Sequence, residues 1–195
     1  VLFVVSVADP SDDFAAALRT LYVRVDEDLR ERWDRSLPFQ DGLFDRWERA
    51  QRLGFGAEAS IYNSAMVLGS VSVGGSTWIG PNVLLDGSGA EGITIGRYCS
   101  VSAGVQIYTH DTVRWSLSLG SAERTEGSVT VGDGCHLGAQ SIVAPAVSIG
   151  DRCVVGANSF VNRSLEPRSV AVGTPARVVG RVEGEGDDVR VTMLR

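Results

Sequence analysis

Lysine is absent from this 195-residue chain: all eighteen basic residues are arginine, set against 24 Asp and Glu, for a formal net charge of −6. So acidic a chain lacks the positive field that a phosphate backbone demands, which argues against a nucleic-acid partner. Histidine is nearly absent, with only His110 and His136. Open zinc sites favour three protein ligands, so two His standing 26 residues apart leave no metal expected. Cysteine is scarce as well, and Cys99, Cys135 and Cys153 have no CxxC spacing, which argues against a disulfide scaffold. Long apolar runs are missing. The stretch 1–7 is apolar but has no basic residue before it and is too short for a signal peptide or a membrane span. The expected location is the cytoplasm. What is present, 44% hydrophobic residues, suffices for one compact domain and a modest appendage.

Residues 11–55 have helical periodicity. Ser11, Asp12 and Asp13 suit an N-cap with an acidic first turn, and Phe14, Leu18, Leu21, Val25, Leu29 and Trp33 then form an apolar stripe. Pro38 marks the end of that helix. A second stripe, Leu43, Phe44, Trp47, Ala50 and Leu53, stops at Gly54. Two such short amphipathic helices cannot bury their apolar faces alone, so 1–56 is expected to be a helical cap that packs on something else.

From residue 61 the period becomes six. Hexads begin at Ile61, Val67, Val73, Ile79, Leu85, Ile95, Val101 and Ile107, and resume at Val131, Leu137, Val143, Ile149, Val155 and Val161. All fourteen first positions are Val, Ile or Leu, which together make up only about a quarter of the chain. The second position is Gly at 74, 80, 96, 132, 138, 150 and 156, and the fifth is small or medium-sized almost throughout. A short strand and a tight corner, repeated, fits this period. The aliphatic residue points inward, the Gly lets the backbone turn, and three sides close a triangular coil of eighteen residues. Parallel strands of successive coils then stack at roughly 4.8 Å. Such a prism is mainly β and needs both ends covered. The helices are expected at one end and residues 166–195 at the other, with the prism over 57–183 and a flexible tail over 184–195. The step from Ile107 to Val131 is 24 residues, so 113–130 are expected to leave the prism as a loop and return in phase. Long excursions from a regular scaffold are usually functional.

The hexads, with the stretches "WIGPNVLLDGSG", "VQIYTHDTVRW" and "VVGANSFVNRSLEPRSVAVGTPARVVG", resemble the hexapeptide-repeat acyltransferases, in particular the maltose/galactoside and polysaccharide-acetylating O-acetyltransferases. The likeness covers residues 60–182. It implies a left-handed parallel β-helix, where crossover rules alone would favour the right hand. It further implies a homotrimer with sites between subunits, acetyl-CoA as acyl donor, and a sugar or nucleotide-sugar as acceptor.

The same resemblance makes His110, in Tyr108-Thr109-His110-Asp111 at the root of the loop, the catalytic base. A hydroxyl attacks a thioester slowly unless its proton is removed, and a neutral imidazole does this near pH 7. The resemblance assigns the oxyanion donor to the backbone amide of Ala139, the acceptor contact to Asp86, and companion contacts to Asn82 and Trp115. It puts the donor's amides along Ala139, Gly156 and Ala157, and its phosphates near Asn162, Arg163, Arg177 and Arg181, whose guanidiniums suit phosphate. A carboxylate is expected to hold the second nitrogen of His110, with Asp111, Glu123 and Glu126 as alternatives. His136 stands at a corner where relatives carry an aromatic of the donor tunnel. The three Cys are fifth-position residues of one side and are expected to stack as a column of structural thiols. Two other readings stay open: N-acetylation of an amino-sugar, and a non-catalytic scaffold. A γ-type carbonic anhydrase is excluded by its need for three His per zinc.

Overall fold

The computed structural model describes residues 12–89 and 91–194; the 1–7 apolar run and the Ser11 cap lie outside the described residues. The chain forms two compact units that divide after Asp45. In the first, α1 (Asp12–Trp33) and α2 (Phe39–Leu43) lie against each other through the rings of Tyr22 and Phe39, 6.0 Å apart. Asp34, with φ 52°, ends α1, and Pro38 serves as the N-cap of α2. The expected second helix is thus broken. Phe44 is extended, and α3 (Arg46–Arg52) begins beyond it.

This moves the expected boundary from residue 56 to Asp45, because α3 is fastened to the prism. Arg49 donates to the carbonyls of Tyr62 and Ala65 (the latter 2.8 Å) in the first coil, and Ala50 is buried. Arg46 lies over the rings of Trp47 and Tyr62, at 4.1 and 5.3 Å from their centroids.

The prism has three sides. The first stacks Ser60–Ile61, Trp78–Ile79, Ser100–Val101, His136–Leu137, Val154–Val155 and Ser169–Val172 in parallel. Met66–Gly69, Leu84–Gly87, Gln106–Tyr108, Ile142–Val143 and Phe160–Val161 form the second. The third is Val71–Val73, Ile93–Ile95, Val129–Val131 and Ser148–Ile149. First-position residues face inward and are buried, as with Ile61, Ile79, Val101, Leu137 and Val155 on the first side.

One detail of the hexad corrects the expectation. The left-handed backbone angle falls at the fourth position, at Ser76, Asn82, Tyr98, Gln140, Ala146, Arg152 and Asn158, rather than at the second-position Gly. Those Gly are there for proximity: a Cβ on Gly138 would stand 2.5 Å from the Ala157 nitrogen of the coil above.

The tail is a second correction. Arg190–Met193 pairs antiparallel with Arg177–Glu183, which itself runs antiparallel to Ser169–Val172, so 184–195 is not a free end among the described residues. Glu185 accepts from both Arg152 and Arg168, tying the segment to the last coils.

Two excursions leave the prism, and both leave at the corner between the second and third sides. The expected one opens with His110–Asp111, paired antiparallel with Thr125–Glu126, carries α4 (Val113–Leu117), and re-enters at Val129. A shorter one, between the strands Leu84–Gly87 and Ile93–Ile95, stretches the step from Leu85 to Ile95 to ten residues.

Candidate active site

Thr109 organises the shared corner. It is fully buried; its hydroxyl donates to the Asp86 carbonyl and accepts the Gly89 N–H, both at 2.8 Å, while its carbonyl accepts the Gly127 N–H at 2.9 Å. One residue thus fastens the short excursion and the neck of the long one to the same strand. The next residue, His110, is held accordingly.

Asp86 follows the inward Leu85 and so faces out of the second side. Its Oδ1 accepts the N–H of Ser88 at 3.1 Å and the Ser88 hydroxyl at 2.5 Å. The same oxygen stands 3.9 Å from His110 Nδ1, the two side chains being 13% and 20% exposed. That separation exceeds a hydrogen bond, and His110 Nδ1 is buried without a hydrogen-bond partner. Catalytic hydrogen bonds commonly tighten only once substrate is bound.

Of the carboxylates left open by the sequence, Asp111 accepts the Val113 N–H at 3.0 Å and so opens α4, while Glu126 pairs with Arg124 at 2.5 Å. Asp86 is the carboxylate placed against Nδ1, a partner the sequence reasoning had assigned only to the acceptor.

The pair opens onto a cleft of about 520 Å³. Asp86, Tyr108, His110, Asp111, Thr112 and Val113 line it, with Ile142, Ala144, Pro145 and Phe160. The Tyr108 hydroxyl donates to Gln106 at 2.6 Å. Of the residues expected in the site, only Asp86 and His110 are brought together here. Trp115, on α4, does not line the cleft; it packs toward Gly120. Asn82, Ala139, Gly156 and Ala157 lie at the corners between first and second sides, Asn162 and Arg163 follow Phe160–Val161, and Arg177 and Arg181 are exposed on the strand Arg177–Glu183. The missing side chain of Gly156 faces the next coil, where a Cβ would stand 2.7 Å from Val172, so this Gly serves stacking and not close approach of a ligand.

His136 is not at a corner. It is an exposed strand residue on the first side, between Ser100 and Val154, away from the cleft. The thiols do form a column: Cys99, Cys135 and Cys153 each donate at 3.1 Å to a carbonyl of the following coil (Gly132, Gly150 and Glu166). Thr77 makes the same bond one coil earlier, to Gly96 at 2.7 Å. Coupling within the column pushes the Cys135 thiol up and draws those of Cys99 and Cys153 down, but all three are buried and none lines the cleft, so it is their place and not their acidity that argues against a nucleophilic role. Among the described residues, no group of three or more His, Cys, Asp or Glu is placed to hold a metal, and no helix is long and apolar enough to cross a membrane.

Sequence reasoning missed Thr109 and the short excursion. The ten-residue step from Leu85 to Ile95 was the available signal for the latter. Nothing in the spacing marked Thr109.

A family profile, the hexapeptide repeat of succinyl-transferase, matches residues 71–109 and 128–163. No curated protein sequence is significantly similar to the chain. Among solved structures, the fold is similar to a hexapeptide-repeat-containing acetyltransferase, VCA0836 from Vibrio cholerae O1 biovar eltor, complexed with acetyl coenzyme A. The two are 24% identical with a TM-score of 0.61, over 90% of this chain and 93% of that one. It is similar also to AntD, an N-acyltransferase from Bacillus cereus in complex with dTDP and 3-hydroxybutyryl-CoA: 23% identity, TM-score 0.58, 70% of this chain and 89% of that one. An AntD variant bound to dTDP-4-amino-4,6-dideoxyglucose and coenzyme A matches at 23% identity and a TM-score of 0.56, over 68% of this chain and 87% of that one. The hexapeptide repeat is thus matched on both sides of the excursion, and the chain shares the fold of these structures, a left-handed parallel β-helix.

Proposed function

We propose that the cleft beside His110 is the acceptor site of an acyl-CoA-dependent acyltransferase, with acetyl-CoA as donor and His110 as general base. The observation that carries this reading is the pairing of His110 and Asp86: an imidazole whose buried Nδ1 faces a carboxylate and which itself lines the cleft. Asp86 then favours the tautomer with the proton on Nδ1, leaving Nε2 to take the acceptor's proton. Its own oxygen is steadied by Ser88. The coenzyme A complexes of the similar structures support the donor. The base serves a hydroxyl acceptor, as the resemblance to sugar O-acetyltransferases implies, and equally an amine.

None of the residues assigned to the donor lines the cleft within one chain. A homotrimer resolves this, since a neighbouring copy brings its own corner residues, with Ala139 as oxyanion donor and Ala157 beside the pantetheine, to the cleft. Asn162, Arg163, Arg177 and Arg181 supply polar and cationic groups for the phosphates, and the three Arg are exposed. A cytoplasmic location fits the donor.

The test is release of coenzyme A thiol from acetyl-CoA in the presence of a panel of sugars and amino-sugars. His110→Ala is expected to lower kcat by a factor on the order of 10² to 10⁴, the usual worth of a positioned base. Full activity in folded His110→Ala protein would sink the reading.

A further inference from the structure

The Asp86 carboxylate and the His110 ring are set by bonds that converge on their shared neighbour, Thr109. The Asp86 carbonyl accepts twice from it, from the N–H at 3.0 Å and from the hydroxyl at 2.8 Å. A hydroxyl has one proton to give, so its donation is committed to Asp86 and its lone pairs are left to draw in the short excursion. They accept the buried Gly89 N–H at 2.8 Å. Gly89 comes so close that a Cβ on it would stand 2.5 Å from the Thr109 carbonyl oxygen. Between the two anchored residues stands Ser88, whose N–H and hydroxyl both go to Asp86 Oδ1. That is the oxygen facing His110 Nδ1. One hydroxyl therefore grips both ends of the turn that aims the carboxylate, from the residue next to the imidazole. Thr109 is fully buried within its own chain, so these bonds do not depend on a neighbouring copy.

Resting on the acyl-transfer reading, we infer that Thr109 is a positioning residue for the His110 base. Its hydroxyl touches no reactant. It fixes the turn from Asp86 to Gly89, and with it the carboxylate oxygen that selects the imidazole tautomer; through the adjoining peptide it fixes the root of the ring. Without the hydroxyl, the buried Gly89 N–H has no acceptor and the turn loses its inner anchor. Asp86 Oδ1 then loses its fixed place against Nδ1. The coils themselves keep their parallel pairing, because Thr109 stands beyond the strand Gln106–Tyr108. The loss thus falls on the aim of Nε2, where a displacement of roughly 1 Å costs up to about 100-fold in rate.

The test is a double-mutant cycle between Thr109 and His110, read as steady-state release of coenzyme A thiol from acetyl-CoA with an acceptor that the wild type uses. Thr109→Val keeps the shape and removes the hydroxyl; Thr109→Ser keeps the hydroxyl. Thr109→Val is expected to lower kcat by on the order of 10- to 100-fold with KM for acetyl-CoA unchanged, and Thr109→Ser to stay near the wild-type rate. In a His110→Ala background, Thr109→Val should lower the residual rate no further, because a positioning residue has nothing left to position. A wild-type kcat in Thr109→Val, or an equal loss with and without His110, overturns the inference while acyl transfer stands. Melting temperatures establish that the variants are folded. Should Thr109→Val fail to fold, Ser88→Ala takes its place in the cycle, since Ser88 is exposed and stands on the same turn. It should lower kcat about tenfold, as loss of a bond to a charged group does, and only where His110 is present. An unchanged kcat there overturns the inference equally. Full activity in folded His110→Ala protein overturns the acyl-transfer reading and the inference with it.

Discussion

Asp86 and His110 are 24 positions apart in the chain and sit on adjacent coils, where each alone would be a surface residue. In the proposed mechanism the carboxylate contributes orientation. Asp86→Asn keeps the shape but offers Nδ1 a group that can equally donate, so the ring loses its enforced tautomer. The expected result is a kcat lowered by on the order of 10- to 100-fold, part of what the base itself supplies, with KM for acetyl-CoA unchanged. Steady-state kinetics on variant protein of unaltered melting temperature check this; a rise in donor KM alone would refute it. The place of His110 at the root of an excursion was legible in the sequence because the repeat made the loop beside it conspicuous. Its pairing with Asp86 was not, because the short excursion between Gly87 and Ile93 takes the two residues out of simple hexad register. Thr109 was invisible because its bonds to Asp86 and Gly89 cross coils, and Ser88 because it stands on the short excursion, outside the hexads.

The hexad assigns its residues different duties, and the two kinds of Gly show it. Gly138 is required because its place beside the next coil is occupied by backbone: an added Cβ would stand 2.5 Å from the Ala157 nitrogen and 2.7 Å from the Gly156 carbonyl carbon. Gly104 is a fourth-position residue with φ 69°, and its nearest neighbour beyond an added Cβ is the Gln140 side chain at 3.4 Å. Asn already takes that backbone conformation at 82 and 158. Gly138→Ala is therefore expected to destabilise by about 1–3 kcal/mol, as forced overpacking does. Gly104→Asn should stay within about 0.5 kcal/mol of wild type. Urea unfolding of the two variants measures the difference, and equal losses would show that the corner, not the stacking, needs the glycine. The period of six and the column of thiols could be read from the sequence because first and fifth positions bury side chains. The turning position could not, because Asn and Gly share it with Ser, Tyr, Gln, Ala and Arg and so leave only a faint compositional trace.

At the scale of the whole chain, exposed ion pairs tie successive coils to one another and to the C-terminal segment. Arg97 hydrogen-bonds Asp133 and holds its carboxyl below the ordinary range, while Arg152 and Arg168 do the same for Glu185. A carboxylate whose folded pKa is depressed contributes stability that is full above its unfolded pKa and is lost as pH falls through the folded value. The double variant Asp133→Asn with Glu185→Gln is thus expected to melt below wild type at neutral pH, by a modest margin suited to exposed pairs. The gap should close as pH drops below about 4, and a gap independent of pH would count against this origin. The neck of the long excursion has a consequence of another kind. The pairs His110–Glu126 and Asp111–Thr125, with the Gly127 to Thr109 bond, close the excursion at its root before α4 begins. Everything beyond the neck is enclosed by a finished stem, and loop length itself costs little, roughly 0.6 kcal/mol per doubling. The outer segment is therefore interchangeable. Its length and sequence can change at little cost to the stem that holds His110, so that in the proposed enzyme the base is insulated from variation farther out on the excursion.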